Sequence, residues 1–326
     1  MRRTLVILMF LTLLAGCGRV RTAVPVVAIL LSDDVRMPKV EGLRAGLSDL
    51  GYPPDSLQFT VYSAKGDRTA LPDLAAQILS SRPAVAVAGG SIEAQALKGN
   101  GDRRIPVVMM GVASSIRSGL VESLVRPGGN LTGLDNQHAE LSAKRLELLT
   151  KLLPAVRRVL LLYDPLIVPG RHAREVTEET AARMGIATRA LPAETVEASL
   201  SMLRSLRPGE FDAALLLPGF VFESGARQIT LEFDRLRLPV MGPLELEGRA
   251  GLLAAYGISM RNQGYQSARF VVKLLQGGNP ANIPVETPDN PELVVDPRVA
   301  RRLGLKLSPV GMAFARTAET GAGEGE

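Results

Sequence analysis

Val24-Pro25-Val26-Val27-Ala28-Ile29-Leu30-Leu31 is an unbroken apolar run, closed by Ser32-Asp33-Asp34. A strand with one wet face alternates polar and apolar residues. A strand with none is apolar throughout and belongs inside a parallel sheet covered by helices on both faces. Working outward, Val40, Leu43, Leu47 and Leu50 share one helical face and Gly51 follows, which predicts a helix over 40–50 with a glycine terminator. A short strand at 58–62, a helix over 69–81 and a strand at 84–88 ending in Gly89-Gly90-Ser91 come next. A short helix at 92–97 and a strand at 105–110 ending in Gly111-Val112-Ala113-Ser114 complete the first set.

The pattern then recurs. A buried strand at 158–163 ends in Asp164-Pro165, and a helix over 173–184 stops at Gly185. A strand at 187–190, a helix at 196–206, a strand at 211–217 ending in Pro218-Gly219, a helix at 228–236 and a strand at 238–241 follow. Asp33 and Asp164, Gly51 and Gly185, Pro83 and Pro208, Pro106 and Pro239 are each separated by about 130 residues, in the same order. The chain therefore reads as an α/β protein of two Rossmann-like lobes, each an open parallel sheet with helices on both faces.

Open α/β sheets bind ligands beyond the carboxyl ends of their strands. Lobes facing each other through those ends would form one cleft, lined by 32–34, 89–91, 111–115, 163–165, 218–220 and 242–244. Ser32, Asp33, Ser91, Ser114, Ser115, Tyr163, Asp164, Phe220 and Tyr256 are the ligand-binding candidates. Backbone N–H groups at helix starts after Ser91 and Ser114 suit a carboxylate, and the serine hydroxyls add donors. Asp33, Asp34 or Asp164 could accept from an ammonium group, or could equally be turn and cap residues. Tyr163, Phe220 and Tyr256 could form an apolar wall, the tyrosines alternatively packing at strand ends.

Composition narrows the chemistry. Lys and Arg total 38 against 33 Asp and Glu, for a formal charge of +5 and an isoelectric point near 9.5. These charges are scattered and aromatic residues make up only 4%, so no nucleic-acid partner is expected. One cysteine, Cys17, precludes an intrachain disulfide. Two histidines, His138 and His172, do not make a multi-histidine metal site. The chain has no G-x-S-x-G elbow, Walker loop, H-E-x-x-H or strand-linked G-x-G-x-x-G. No enzyme, cofactor or metal is expected.

Met1-Arg2-Arg3 followed by an apolar stretch to Leu14 reads as a secretory signal, too short for a stable membrane span. Leu14-Ala15-Gly16-Cys17 resembles the bacterial lipobox. That resemblance implies removal of residues 1–16 and acylation of the Cys17 thiol, with 17–23 as linker to the membrane surface.

After a strand at 252–256, Ala268, Val271, Val272 and Leu275 mark a helix over 263–275, followed by an extended Pro-rich segment and a strand at 293–295. Arg126-Pro127-Gly128-Gly129-Asn130-Leu131-Thr132-Gly133, with Leu141-Ser142-Ala143-Lys144-Arg145-Leu146-Glu147-Leu148-Leu149, Ile283-Pro284-Val285-Glu286-Thr287-Pro288 and Glu292-Leu293-Val294-Val295, resembles the substrate-binding lipoproteins of ABC transporters, in the group with tryptophan- and tyrosine-binding members. The resemblance implies a type I periplasmic-binding-protein fold with three lobe-to-lobe crossovers. It also implies a monomer that closes on a small ligand, an amino acid or related small carboxylate, and a transporter permease as partner. A ligand-sensing lipoprotein signalling to a membrane receptor, or a structural envelope lipoprotein, are the alternatives. On this reading lobe one is 24–133 plus about 258–288, and lobe two is 134–257 plus about 289–310. The glycine turn at Gly128-Gly129-Asn130 is the first crossover, and 311–326 is a disordered tail. The family commonly carries Thr-Pro and Asp-Pro after its third and fourth strands and Asn-Pro in its second lobe. Here those places hold Ser91-Ile92, Ser114-Ser115 and Asp164-Pro165, so ligand identity does not carry over.

Overall fold

The computed structural model describes residues 24–99, 105–243 and 251–318. The signal segment 1–16, Cys17 with the whole of its linker, Leu244 and the end of the tail lie outside them.

Among the described residues twelve strands form two sheets. The first holds β1 (Val26–Leu31), β2 (Gln58–Ser63), β3 (Val85–Ala88), β4 (Val107–Val112) and β5 (Leu131–Asp135), in the order β2-β1-β3-β4-β5, all parallel. The second holds β6 (Arg158–Tyr163), β7 (Ala187–Pro192), β8 (Ala213–Leu216), β9 (Val240–Pro243), β10 (Ala254–Gly257), β11 (Glu292–Val295) and β12 (Ala315–Thr317). Their order is β12-β11-β10-β9-β8-β6-β7, parallel except where β10 meets β11. Strand order reverses beside β1 in one sheet and beside β6 in the other, the positions where open α/β sheets leave a crevice.

The apolar run around β1 is buried on both sides. Val27, Ile29 and Leu31 join one apolar cluster and Ala28 and Leu30 another, because successive side chains leave opposite faces of a strand. Helices α1 (Met37–Asp49), α2 (Leu71–Ser80) and α3 (Ser91–Gly99) follow the strands of the first sheet. Helices α4 (Leu141–Leu152), α5 (Val168–Arg183), α6 (Val196–Ser205), α7 (Phe220–Ser224) and α8 (Ala226–Arg235) serve the second. Then come α9 (Met260–Leu275), α10 (Pro297–Leu303) and α11 (Pro309–Met312). Among the described residues no helix is long and apolar enough to cross a membrane.

The chain passes between the sheets three times: after β5, after β10, and after Glu286. Helix α9 comes back to the first sheet, where Ala268, Phe270 and Val271 share a cluster with Val40 and Leu43 of α1. The two helices meet at their backbones. A Cβ on Gly264 would lie 1.8 Å from the Lys39 carbonyl oxygen, and one on Gly42 would lie 1.9 Å from that of Arg261.

Two expectations are corrected. The turn at Gly128 is not itself a crossover; it leads into β5, the edge strand of the first sheet, and the chain crosses only after Asp135. β5 is a strand because β4 flanks it on one side, while Asp135 N donates to Glu286 O and Glu286 N to Gly133 O on the other. Gly133 (φ +129°) is needed within it, since a Cβ there would lie 2.4 Å from the Met109 oxygen. The tail assigned to 311–326 is ordered at its start: residues 315–317 form β12, pairing with β11 at Leu293–Ala315 and Val295–Thr317.

The glycine contact between α1 and α9 supports a prediction. Gly264→Val should destabilise the chain by about 3 kcal/mol, because neither backbone can yield to the added methyls. A lowered urea-unfolding midpoint at unchanged m would show it; an unaltered midpoint would disprove the close contact.

Candidate functional site

The carboxyl ends of the two sheets face each other across one cavity. Gly90, Ser91 and Ile92 follow β3, and Gly111 and Ala113 lie at the end of β4. Ile167 and Pro169 follow β6, Leu217 to Phe220 follow β8, and Pro243 closes β9. The free space is about 50 Å³, room for a handful of waters. Small-molecule sites are usually roughly 300 Å³ or more. Ion pairs between side chains of the two sheets' loops and helices cross this space.

Arg36 is central. The Asp33 carboxylate accepts from Val35 N (2.9 Å) and caps the 3-10 turn Asp34–Arg36 that delivers Arg36 to the cavity. Arg36 Nη1 donates to both oxygens of Glu93 (2.8 and 3.0 Å), in the first turn of α3. Its opposite edge donates across the cleft to Glu223 of α7, from Nε to Oε2 (2.9 Å) and from Nη2 to Oε1 (2.8 Å). The latter is the planar fork by which arginine grips a carboxylate. Glu93 is fully buried and also accepts from Ser32 N (2.7 Å). Gly90 leaves room for the guanidinium, since a Cβ there would lie 2.0 Å from Nη1.

A second ion pair joins Arg68 to the buried Asp164, and the Arg68 guanidinium also lies 5.1 Å from the centre of the Phe220 ring. Arg68 is presented by the turn that Asp67 caps. The Thr69 hydroxyl and amide donate to the Asp67 carboxylate and hold its pKa below the ordinary value. A third pair, Arg117 with Glu175 (3.4 Å), is exposed and contributes little. Lys39, buried beneath the cavity, donates to the carbonyls of Gly89 (2.9 Å), Met110 (3.1 Å) and Gly111 (3.4 Å). Asn136 also lines the cavity and donates to Gly111 O (3.1 Å).

Of the sequence candidates, Ser91 and Phe220 line the cavity. The Ser91 hydroxyl accepts from Ala113 N (2.9 Å) and donates to Ala113 O (3.3 Å), tying the start of α3 to the end of β4. Asp164 reaches the cleft through Arg68, and Asp33 acts as a cap. Ser32 and Ser114 are buried, their hydroxyls without a hydrogen-bond partner among the described residues, and neither lines the cavity. No helix starts after Ser114. That residue has φ +55°, and the chain continues through turns in which Ser115 N and Oγ both donate to Asp135 (2.8 and 2.6 Å). Tyr163 and Tyr256 pack against the apolar core of the second sheet, away from the cavity. Arg174 lies 5.4 Å from the Tyr163 ring, and Arg145 Nε donates to Tyr256 O (2.8 Å). Arg36, Lys39, Glu93 and Glu223 were not singled out as site residues. The sole local signal was a glutamate directly after Gly89-Gly90-Ser91-Ile92.

The ion pairs generate a prediction. Arg68→Met leaves the Asp164 carboxylate buried and unpaired in the closed cleft, which costs about 3 kcal/mol. Opening the cleft rehydrates it, so the variant should appear as an expanded population with a larger radius of gyration in small-angle scattering. A scattering curve superimposable on that of the parent would refute a holding role for this pair.

Residues 24–313 match the family model described as ABC transporter substrate binding protein. The chain is 25% identical over 304 residues to the tyrosine-binding protein of Clostridioides difficile strain R20291, covering 89% of this chain and 84% of that one. Among solved structures, it resembles a conserved domain protein of Vibrio cholerae, with TM-score 0.85, 24% identity, and 90% and 99% of the two chains covered. It also resembles a Streptococcus pneumoniae ABC domain in complex with L-Trp, with TM-score 0.82, 20% identity, and 90% and 99% covered.

Proposed function

The chain belongs to the ABC transporter substrate binding protein family, and from that premise we propose that it is an extracytoplasmic lipoprotein that captures an amino acid or related small carboxylate between its two lobes and delivers it to a transporter permease. The observation that carries this reading is the cavity between the strand ends of both sheets, crossed by the buried Arg36. Arg36 and the start of α3 supply cationic and N–H donors for a carboxylate. Ile92, Ile167, Leu217, Phe220 and Phe222 supply an apolar wall for a side chain. The tyrosine-binding relative and the L-Trp complex point in the same direction for ligand class. The three connections between the sheets act as the hinge: they allow the lobes to part without either unfolding. Closure of the lobes is what the permease would recognise.

The membrane attachment rests on Leu14-Ala15-Gly16-Cys17. The chain works as a monomer, and nothing in this mechanism calls for a cofactor or a reaction.

Ligand capture predicts a thermal shift. An amino acid at 100 times its Kd should stabilise the mature chain by about 2.7 kcal/mol. The chain contains no tryptophan, so the emission of added L-tryptophan can be titrated without background from the protein. A panel of all amino acids and small carboxylates that moved nothing would sink the proposal. For the anchor, Cys17→Ser should release the protein from the membrane fraction of its host, whereas retention there would argue against acylation.

A further inference from the structure

We infer that lobe one carries a second ligand site, a pocket away from the cleft that binds an anion with an apolar chain, of the kind of a medium-chain fatty acid. The chain lies on Leu47, Tyr52, Pro54, Leu57 and Phe59, and its carboxylate meets Arg44. The inference stands apart from the cleft and from what the cleft holds.

The pocket has about 270 Å³ of free space, against about 50 Å³ between the lobes. That approaches the roughly 300 Å³ at which small-molecule sites begin. The space exists because the edge of a sheet is hard to cover. Helices α1 and α9 share an apolar cluster with Val27, Ile29 and Leu31 of β1. Phe59 and Val61 of the edge strand β2 pair with Val27 and Ile29, yet stay half-buried. Past the end of α1, Gly51 (φ +88°) turns the chain and Tyr52 N donates to Leu47 O (2.9 Å). The 3-10 turn Pro54–Ser56 follows, held by Ser56 N and Oγ donating to Pro53 O (2.9 and 2.7 Å). Leu57 precedes β2, so the pocket lies toward the amino ends of the strands, whereas the cleft lies at their carboxyl ends. All its walls belong to one lobe and are formed without closure.

The lining carries one charge. Arg44 stands one helical turn before Leu47 on the same side of α1, and its guanidinium lies 4.9 Å from the centre of the Phe59 ring. Among the described residues that ring is its partner, and no carboxylate pairs with it. The acids nearby on α1 are engaged elsewhere: Glu41 faces Arg261 (3.5 Å) and Asp49 accepts from the Tyr265 hydroxyl (2.9 Å). Asp55, on the 3-10 turn, is exposed and does not line the pocket. A guanidinium at an apolar pocket selects an anion that brings an apolar chain. The chain displaces water from the walls, and the head gains a charge-assisted hydrogen bond that no protein carboxylate has to give up. An uncharged chain forgoes the second gain, and acetate the first.

The test titrates the purified mature chain by calorimetry with acetate, hexanoate, octanoate and decanoate below their micelle concentrations, and with 1-octanol as the uncharged analogue. From hexanoate to decanoate the affinity should rise about fourfold per methylene. Octanoate should bind about tenfold tighter than octanol. Arg44→Gln should remove that margin and leave octanol unaffected, while Arg126→Gln, an exposed arginine outside the pocket, should change neither. Any ligand of the cleft should bind Arg44→Gln as it binds the parent, so the two readings can fail separately. The inference is overturned if no acyl carboxylate binds or if affinity is indifferent to chain length. Octanoate that binds Arg44→Gln as tightly as the parent overturns it too, because the acid then sits elsewhere, the cleft included. Phosphatidylglycerol vesicles separate the sources of such a chain. Vesicle binding that Arg44→Gln abolishes would make the ligand a chain of a membrane lipid. Vesicle binding that is absent or indifferent to Arg44 leaves the free acid as the ligand.

Discussion

A guanidinium buried between carboxylates of two different lobes is the interaction on which the cleft depends. Arg36 is anchored within its own lobe by Glu93. Its Nε and Nη2 edge meets Glu223 of the second lobe. Buried ion pairs give little net stability once desolvation is counted, yet they penalise any arrangement that leaves one member alone.

The surroundings exist to present that edge. Parallel strands carry all their carboxyl ends to one side of a sheet, so the loops after β1 and β3 bring Asp33, Arg36, Gly90 and Glu93 together although they are far apart in the chain. Asp33 caps the turn that aims Arg36, and Gly90 removes the side chain that would block it. Behind the cavity, Lys39 binds the carbonyls ending β3 and β4 and so joins α1 to the sheet. Helix α9, arriving from the second lobe, packs against the same α1 through Gly264 and Gly42. The helix that carries the base of the site is therefore also the one that receives the returning chain.

Much of the architecture was legible because burial on both faces of a strand writes itself as an uninterrupted apolar run, as in Val26–Leu31 and Arg158–Tyr163. β5 was not legible. Leu-Thr-Gly-Leu-Asp has neither run nor alternation, and it is a strand because β4 and the segment at Glu286 complete its hydrogen bonds. β12 escaped for the same reason, being three residues long and held by β11. At the site, Ser91 and Phe220 were found from their place at strand ends. Tyr163 and Tyr256 share such places, but their rings pack on the core of the second sheet, and which way a strand-end ring turns depends on neighbours distant in sequence.

The sequence by itself determined that two similar α/β lobes exist, that their strand-end loops are the polar surfaces able to meet, and that it carries no G-x-S-x-G elbow, Walker loop or H-E-x-x-H. It could do so because periodicity, glycine punctuation and composition are local properties. Only the tertiary structure decided which charges share the cleft. Arg36 and Glu223 lie 187 residues apart and Arg68 and Asp164 lie 96 apart, on different lobes. Whether a charged side chain is a solvated surface group or half of a buried pair is fixed by what faces it once the lobes have come together.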